Sequence, residues 1–286
     1  MRLGGGDNSN FEDRTGQSGG GTSLGGMGGG LFGLIFSLVA SRFGIIGMII
    51  LGLGYCALTS LGGGGGLLGG GGGTSPTTQG ESRLTAEQNR VLVGTLNSTE
   101  QVWGQLFQQA GARYQPPRMI AYTRGTQSGC GAAQAAMGPF YCPSDQSIYI
   151  DPTFFDELNR RFGAPGDFAQ AYVVAHEVGH HVQGLQGRLG GGSNSNEAQV
   201  AIELQADCYA GVWAALARDD KGLLLEPGDV EEGMRAAEAI GDDTLQRQAQ
   251  GVVVPESFTH GSAAQRKEAL NRGLSTGDPS QCNYSR

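Results

Sequence analysis

Histidine is scarce in this chain, with 4 residues among 286. No stretch is rich in lysine and arginine: residues 81–286 hold 24 acidic and 16 basic residues and so carry the whole formal charge of −8. An acidic domain without a basic stripe argues against nucleic acid as a partner. No two of the 5 cysteines have the C-x-x-C spacing of a structural zinc site. No internal repeat is visible, so a repeat architecture is not expected.

Glycine is abundant but unevenly placed. Of 52 glycines, 28 fall in the first 80 residues. Residues 1–30 and 62–80 are too rich in Gly, Ser and Thr to bury the apolar area that ordering them would require. They read as a disordered tail and a linker. Residues 81–286 are long enough for one well-buried domain.

Between the two glycine-rich stretches lies an apolar segment, 31–61. Arg42 interrupts it, and Phe43 to Leu61 has no charged residue. A helix of that length spans a bilayer core, so a single membrane span over 43–61 is expected. Arg14 and Arg42 lie before it and the next basic residue is Arg83. That bias places the N-terminus inside and the following domain outside, as in a single-pass protein of an inner (cell) membrane. A cleaved signal peptide is the competing explanation, but the apolar run starts late and no small-x-small site closes it.

Cys56 lies in the expected span. The other four cysteines allow three pairings, of which Cys130–Cys142 and Cys208–Cys282 are favoured, with reduced, buried thiols as the alternative.

The chemistry-bearing feature is His176-Glu177-Val178-Gly179-His180, in a stretch with helical character. Histidines at i and i+4 share a helix face, so both imidazoles reach one metal ion. Glu177 lies about 100° round the helix from His176 and about 60° from His180. Its carboxylate therefore sits beside the metal, where it can take a proton from water. A hydrolytic zinc site needs a third protein ligand and one open position. Glu203 offers that ligand, and Asp207, one turn on, could accept the second N–H of a liganding imidazole. Satisfied histidines on a surface helix are the plain alternative, but the preceding Ala169 to Ala175 is nearly all apolar. Buried imidazoles need partners. Gly179, a poor helix former between the histidines, implies close approach of another segment or of substrate.

His181 points about 120° away from the bisector of His176 and His180, which makes it a packing residue or one standing behind the ligands. His260 is either an exposed loop histidine or the donor to the oxyanion that peptide hydrolysis forms. Arg266 could share that role or be an ordinary surface arginine.

The remaining pattern predicts helices over 85–111, 153–162, 167–185, 196–218, 228–240 and 261–272, with strands over 118–123 and 147–151. Helix dominates over a small sheet, hence α+β. Ile148, Tyr149 and Ile150 are the expected strand for pairing with a peptide substrate.

The chain resembles the bacterial family named putative neutral zinc metallopeptidases, from the glycine-rich N-terminus to the last helix. Carrying the resemblance are Ser128 to Gly131, Gly138 to Pro143, Ser147 to Asp151, Ala175 to Gln183, Glu203 to Cys208, Gly241 to Asp243 and Thr259 to Gly261. It implies a zincin-like fold, a gluzincin-type ligand set of His176, His180 and Glu203, Zn2+ as cofactor, and Glu177 as base. It also implies one N-terminal membrane anchor and a peptide or protein substrate. Thr259-His260 is similar to the downstream histidine of membrane-associated zinc endopeptidases, which draws His260 toward the reaction centre. Two rivals remain open: a deformylase-like amidase using Cys130 or Cys142 as third ligand, and an inactive membrane-anchored scaffold. Downstream Glu203 speaks against the first and intact Glu177 against the second.

Overall fold

The computed structural model of the chain describes residues 1–4, 6–17, 81–189, 195–219 and 222–284. Strand β1 (Phe11–Asp13) comes first, followed after residue 80 by α1 (Ala86–Gln109). A capping box starts α1: Thr85 Oγ1 accepts from the Gln88 N–H at 3.1 Å and Gln88 Oε1 from the Thr85 N–H at 3.0 Å. Its apolar face, including Val91, Leu92, Leu96 and Trp103, is buried. Strands β2 (Arg118–Ala121), β3 (Gly125–Ser128), β4 (Gly131–Gln134), β5 (Phe140–Cys142) and β6 (Ser147–Ile150) follow. Then come α2 (Thr153–Arg160), α3 (Asp167–Leu185) and α4 (Asn196–Leu216). A short hairpin, β7 (Arg218–Asp219) with β8 (Gly222–Leu223), leads to α5 (Asp229–Ala239), α6 (Asp242–Gln250) and α7 (Ala263–Thr276). The α+β expectation agrees with this content. Sequence patterning has no helix where α6 stands, because that polar stretch buries only Asp242 and Gln246 and shows no apolar period.

The main sheet runs β1-β2-β6-β5, with β1, β2 and β6 parallel and β5 antiparallel to β6. All four residues of β6 are buried between two neighbours. Ile148 and Tyr149 therefore have both backbone edges occupied and Ile150 is paired with β2, so this strand is not the open edge expected for a substrate. Among the described residues, the free edge on that side belongs to β5.

Glycine sets how closely the helices approach. An ideal Cβ on Gly273 of α7 would lie 2.0 Å from the Cys208 carbonyl oxygen, and one on Gly211 of α4 2.2 Å from that of Leu270. The two helices interlock through missing side chains, and the Cys208–Cys282 disulfide ties α4 to the segment after α7. Gly273→Ala is expected to lower unfolding stability by about 1–3 kcal/mol, the usual cost of overpacking. Urea titration measures it; unchanged stability would mean the helices part without cost.

The first seventeen residues do not behave as the expected tail. Met1 and Leu3 are buried in the core, β1 pairs with β2, and the Met1 amino group ion-pairs Asp167 at 3.0 Å and Asp229 at 3.1 Å. On the far side of the glycine-rich stretch, the Arg83 N–H donates to Thr15 Oγ1 at 2.9 Å. This corrects the membrane expectation. A span crossed once leaves its flanks on opposite faces of the bilayer, whereas these flanks hydrogen-bond within one domain. The expected span, 43–61, lies outside the described residues, and among those described no helix is long and apolar enough to cross a membrane. Neither a single-pass anchor nor an inner-membrane location with an external catalytic domain is supported.

Candidate metal centre

Helix α3 is buried along most of its length, so its histidines enter the interior rather than solvent. Nε2 of His176 and Nε2 of His180 lie 3.1 Å apart. Glu203, from α4, brings Oε2 to 3.1 Å from His176 Nε2 and Oε1 to 3.5 Å from His180 Nε2. Gly179 permits this approach: a Cβ there would meet the Ala206 carbonyl oxygen at 2.9 Å. The close segment is α4 itself.

The outer ring nitrogens decide what the inner ones can do. His176 Nδ1 lies 2.8 Å from Asp207 Oδ1, so its proton goes to that carboxylate. His180 Nδ1 lies 2.9 Å from Gln183 Oε1. Gln183 spends its amide N–H groups on the Ile202 carbonyl and Gln205 Oε1, which leaves its oxygen to accept. Both histidines thus turn an Nε2 lone pair inward, toward a carboxylate. Three acceptors facing one another repel unless a cation or a proton stands between them. Ligand atoms about 2.1 Å from a tetrahedral zinc would be about 3.4 Å apart, and the observed separations are 3.1–3.5 Å. The donor set fits zinc.

Titration behaviour agrees. Burial pulls the His176 pKa down, but the Asp207 charge and the bonds to Asp207 and Glu203 outweigh it and push it up to about 10. His180 is also raised: burial opposes, and Glu203 prevails. Burial raises Glu203, yet the two histidines hold it well below the usual carboxylate range. A bound cation would take the place of the proton that these groups retain.

Arg266 has no surface character. It is 3% exposed and grips Asp207 with two 2.9 Å bonds, from Nε to Oδ2 and from Nη2 to Oδ1. Tyr172, one turn before His176, donates its hydroxyl to the same Oδ1 at 2.6 Å. Asp207 is fully buried; burial raises its pKa, but Arg266 and His176 bring it to about 2. Its charge is thus fixed and neutralised by a partner on α7. Tyr172 at i−4 from His176 and Gln183 at i+3 from His180 were recoverable from helical spacing. Arg266 and Asp242 carried no such signal.

Glu177 lines the same cleft, 7% exposed, with no hydrogen-bond partner among the described residues. His260 lines it as well. Asp242, at the start of α6, holds that turn by accepting from the N–H groups of Thr259, His260 and Gly261 at 2.7–3.1 Å, while Oδ1 lies 3.3 Å from His260 Nδ1. Burial lowers the His260 pKa, but Asp242 and the charge of Glu203 raise it above the ordinary value.

His181 touches no ligand. Its ring lies 2.6 Å from the Gln115 carbonyl oxygen and 3.2 Å from the Tyr141 hydroxyl, fully buried. It braces β5 from behind. Cys130 and Cys142 are bonded to each other, as are Cys208 and Cys282. Neither Cys130 nor Cys142 is left as a thiolate for a deformylase-like site.

A family model described as "Putative neutral zinc metallopeptidase" matches residues 1–284. The chain belongs to this family. It is 43% identical over 295 residues to the uncharacterized protein YpfJ of Escherichia coli K12, covering 97% of this chain and 96% of that protein. An uncharacterized protein of Mycobacterium tuberculosis is 43% identical over 219 residues, covering 71% of this chain and 73% of its own length. No solved structure matches the chain. Family membership and the donor set point to the same metal.

Proposed function

We propose that the protein is a zinc-dependent peptidase that hydrolyses peptide bonds with Glu177 as general base. The observation that carries this is the convergence of three acceptors facing one another, a carboxylate with no hydrogen-bond partner among the described residues, and the His260 imidazole on one cleft. His176, His180 and Glu203 would hold zinc, which supplies an acidified water and a Lewis acid for the scissile carbonyl. Asp207, pinned by Arg266 and Tyr172, keeps the His176 Nε2 lone pair pointed inward. Glu177 takes the attacking water's proton and returns it to the departing amine. His260, its Nδ1 side held by Asp242, donates to the oxyanion from the facing wall. The free edge of β5 is available to align an extended peptide.

The test is cleavage of a mixed quenched-peptide library by the zinc-loaded chain, with the chelated protein as control. A protein carrying stoichiometric zinc that cuts no peptide would overturn the assignment. His260→Ala is expected to lower kcat about 10²-fold with zinc content intact, the cost of one oxyanion donor. An unchanged kcat would move that role to another group.

A further inference from the structure

The cleft, about 770 Å³, is large enough to take more than the scissile bond. One wall is the chain from Ala135, just after β4, to Tyr141 in β5, every residue of which borders the cleft. This stretch is enclosed by the Cys130–Cys142 disulfide, which joins residues twelve apart. On it, Met137 is 39% exposed, one of few large apolar side chains in that state among the described residues. A neighbouring part of the lining is α2 and its end, with Phe154 and Phe162. Loop and helix come together at Gly138, where φ is 72° and an ideal Cβ would lie 3.8 Å from the Phe154 ring. Val173, one turn before Glu177 on α3, lines the same cleft. Glu157 and Arg161 are the charged residues of α2 and its end that border the cleft, and both are exposed. A side chain entering beside them meets mostly apolar atoms, with the Arg161 guanidinium 5.3 Å over the Phe162 ring at the rim. An apolar group gains by that transfer, whereas a charged one loses hydration that only the exposed rim charges Glu157 and Arg161 could offset.

We propose that the loop closed by Cys130–Cys142 is the substrate-selecting wall of the cleft. With Phe154 and Phe162 it forms a subsite for a bulky apolar side chain next to the scissile bond, and the disulfide holds that subsite in shape. The inference rests on the peptidase assignment above. The bridge suits this role because it fixes the wall without touching the metal ligands. Cys142 is buried at the end of β5, whereas Cys130 is exposed at the tip of the β3–β4 hairpin. Breaking it would free the wall at one end while α3 and α4 keep their own packing. It is a positioning element, so its loss falls on KM more than on kcat.

The experiment uses the zinc-loaded full chain and peptides of one length in which the residues flanking the cut bond vary among Phe, Leu, Ala, Asp and Lys. Mass spectrometry locates the cuts. Bulky apolar residues are expected on one side of the cut bond, with kcat/KM about 10–100-fold above the Ala peptide. Phe154→Ala is expected to collapse that preference, with zinc content as the folding control. Met137→Asp alters an exposed residue and keeps the test valid should Phe154→Ala misfold; it is expected to weaken the Phe peptide relative to the Lys peptide. The Cys130→Ala/Cys142→Ala pair is expected to raise KM for the Phe peptide about tenfold while kcat changes much less. Cleavage without apolar preference, or preference unaltered by both Phe154→Ala and Met137→Asp, overturns the subsite alone. An equal change of KM and kcat in the cysteine pair overturns the positioning role of the bridge. No cleavage of any peptide overturns the peptidase assignment, and the subsite with it.

Discussion

Glu177→Gln is expected to abolish most peptide hydrolysis, by about 10²–10⁴-fold in kcat, while the protein still binds one equivalent of zinc. The replacement is nearly isosteric, and Glu177 has no hydrogen-bond partner among the described residues that an amide would disturb. What changes is basicity: an amide oxygen accepts a hydrogen bond but cannot carry the proton from water to the leaving amine. Such a loss corresponds to about 3–5 kcal/mol of transition-state stabilisation. Zinc content by atomic absorption, beside kcat on one peptide, separates this from simple damage to the site. Full activity in the variant would transfer the base to another residue, and loss of zinc would make Glu177 a ligand.

Zinc itself is expected to stabilise the fold, and Glu203→Ala to remove that effect. The residues that would hold it come from two helices, His176 and His180 from α3 and Glu203 from α4, so a bound ion would cross-link them. An ion that binds only the folded state, at about a thousand times its Kd, adds about 4 kcal/mol. For a domain of this size that is roughly 10 °C in Tm. Calorimetry with zinc and with chelator measures it in wild type and variant. A zinc-induced shift that survives Glu203→Ala would place the ion elsewhere. The sign of the pH dependence follows from the metal-free site, where His176 keeps its proton up to about 10. Zinc must displace that proton, so its affinity rises with pH through the neutral range.

Local features of the sequence were sufficient for much of this centre. The spacing of His176 and His180 on an apolar helical stretch defines one face, because an α-helix repeats every 3.6 residues whatever surrounds it. Glu203 and Asp207 lie one turn apart on another apolar helix by the same rule, and the boundaries of α1 and α7 are written in their Thr85 and Ser262 capping boxes. Gly179 announced a close approach, though not by what.

Other parts depended on contacts between segments far apart in the chain, which no local period encodes. Arg266 looks like any helix arginine until α7 packs on α4 through Gly211 and Gly273 and seals it against Asp207. A buried guanidinium is tolerable only with that partner, and the partner lies fifty-nine residues away. Ile148 to Ile150 form a strand as their composition suggests, but whether a strand is an edge depends on its neighbours, and β5 takes the outer place. Residues 11–13 are too few to declare themselves a strand, yet they complete the sheet beside β2, and that pairing is what a single membrane crossing could not accommodate. Periodicity and caps were thus determined by the sequence alone. Which edge is free, which charges are neutralised and which flanks meet were decided by the tertiary structure, because each depends on what a residue is packed against.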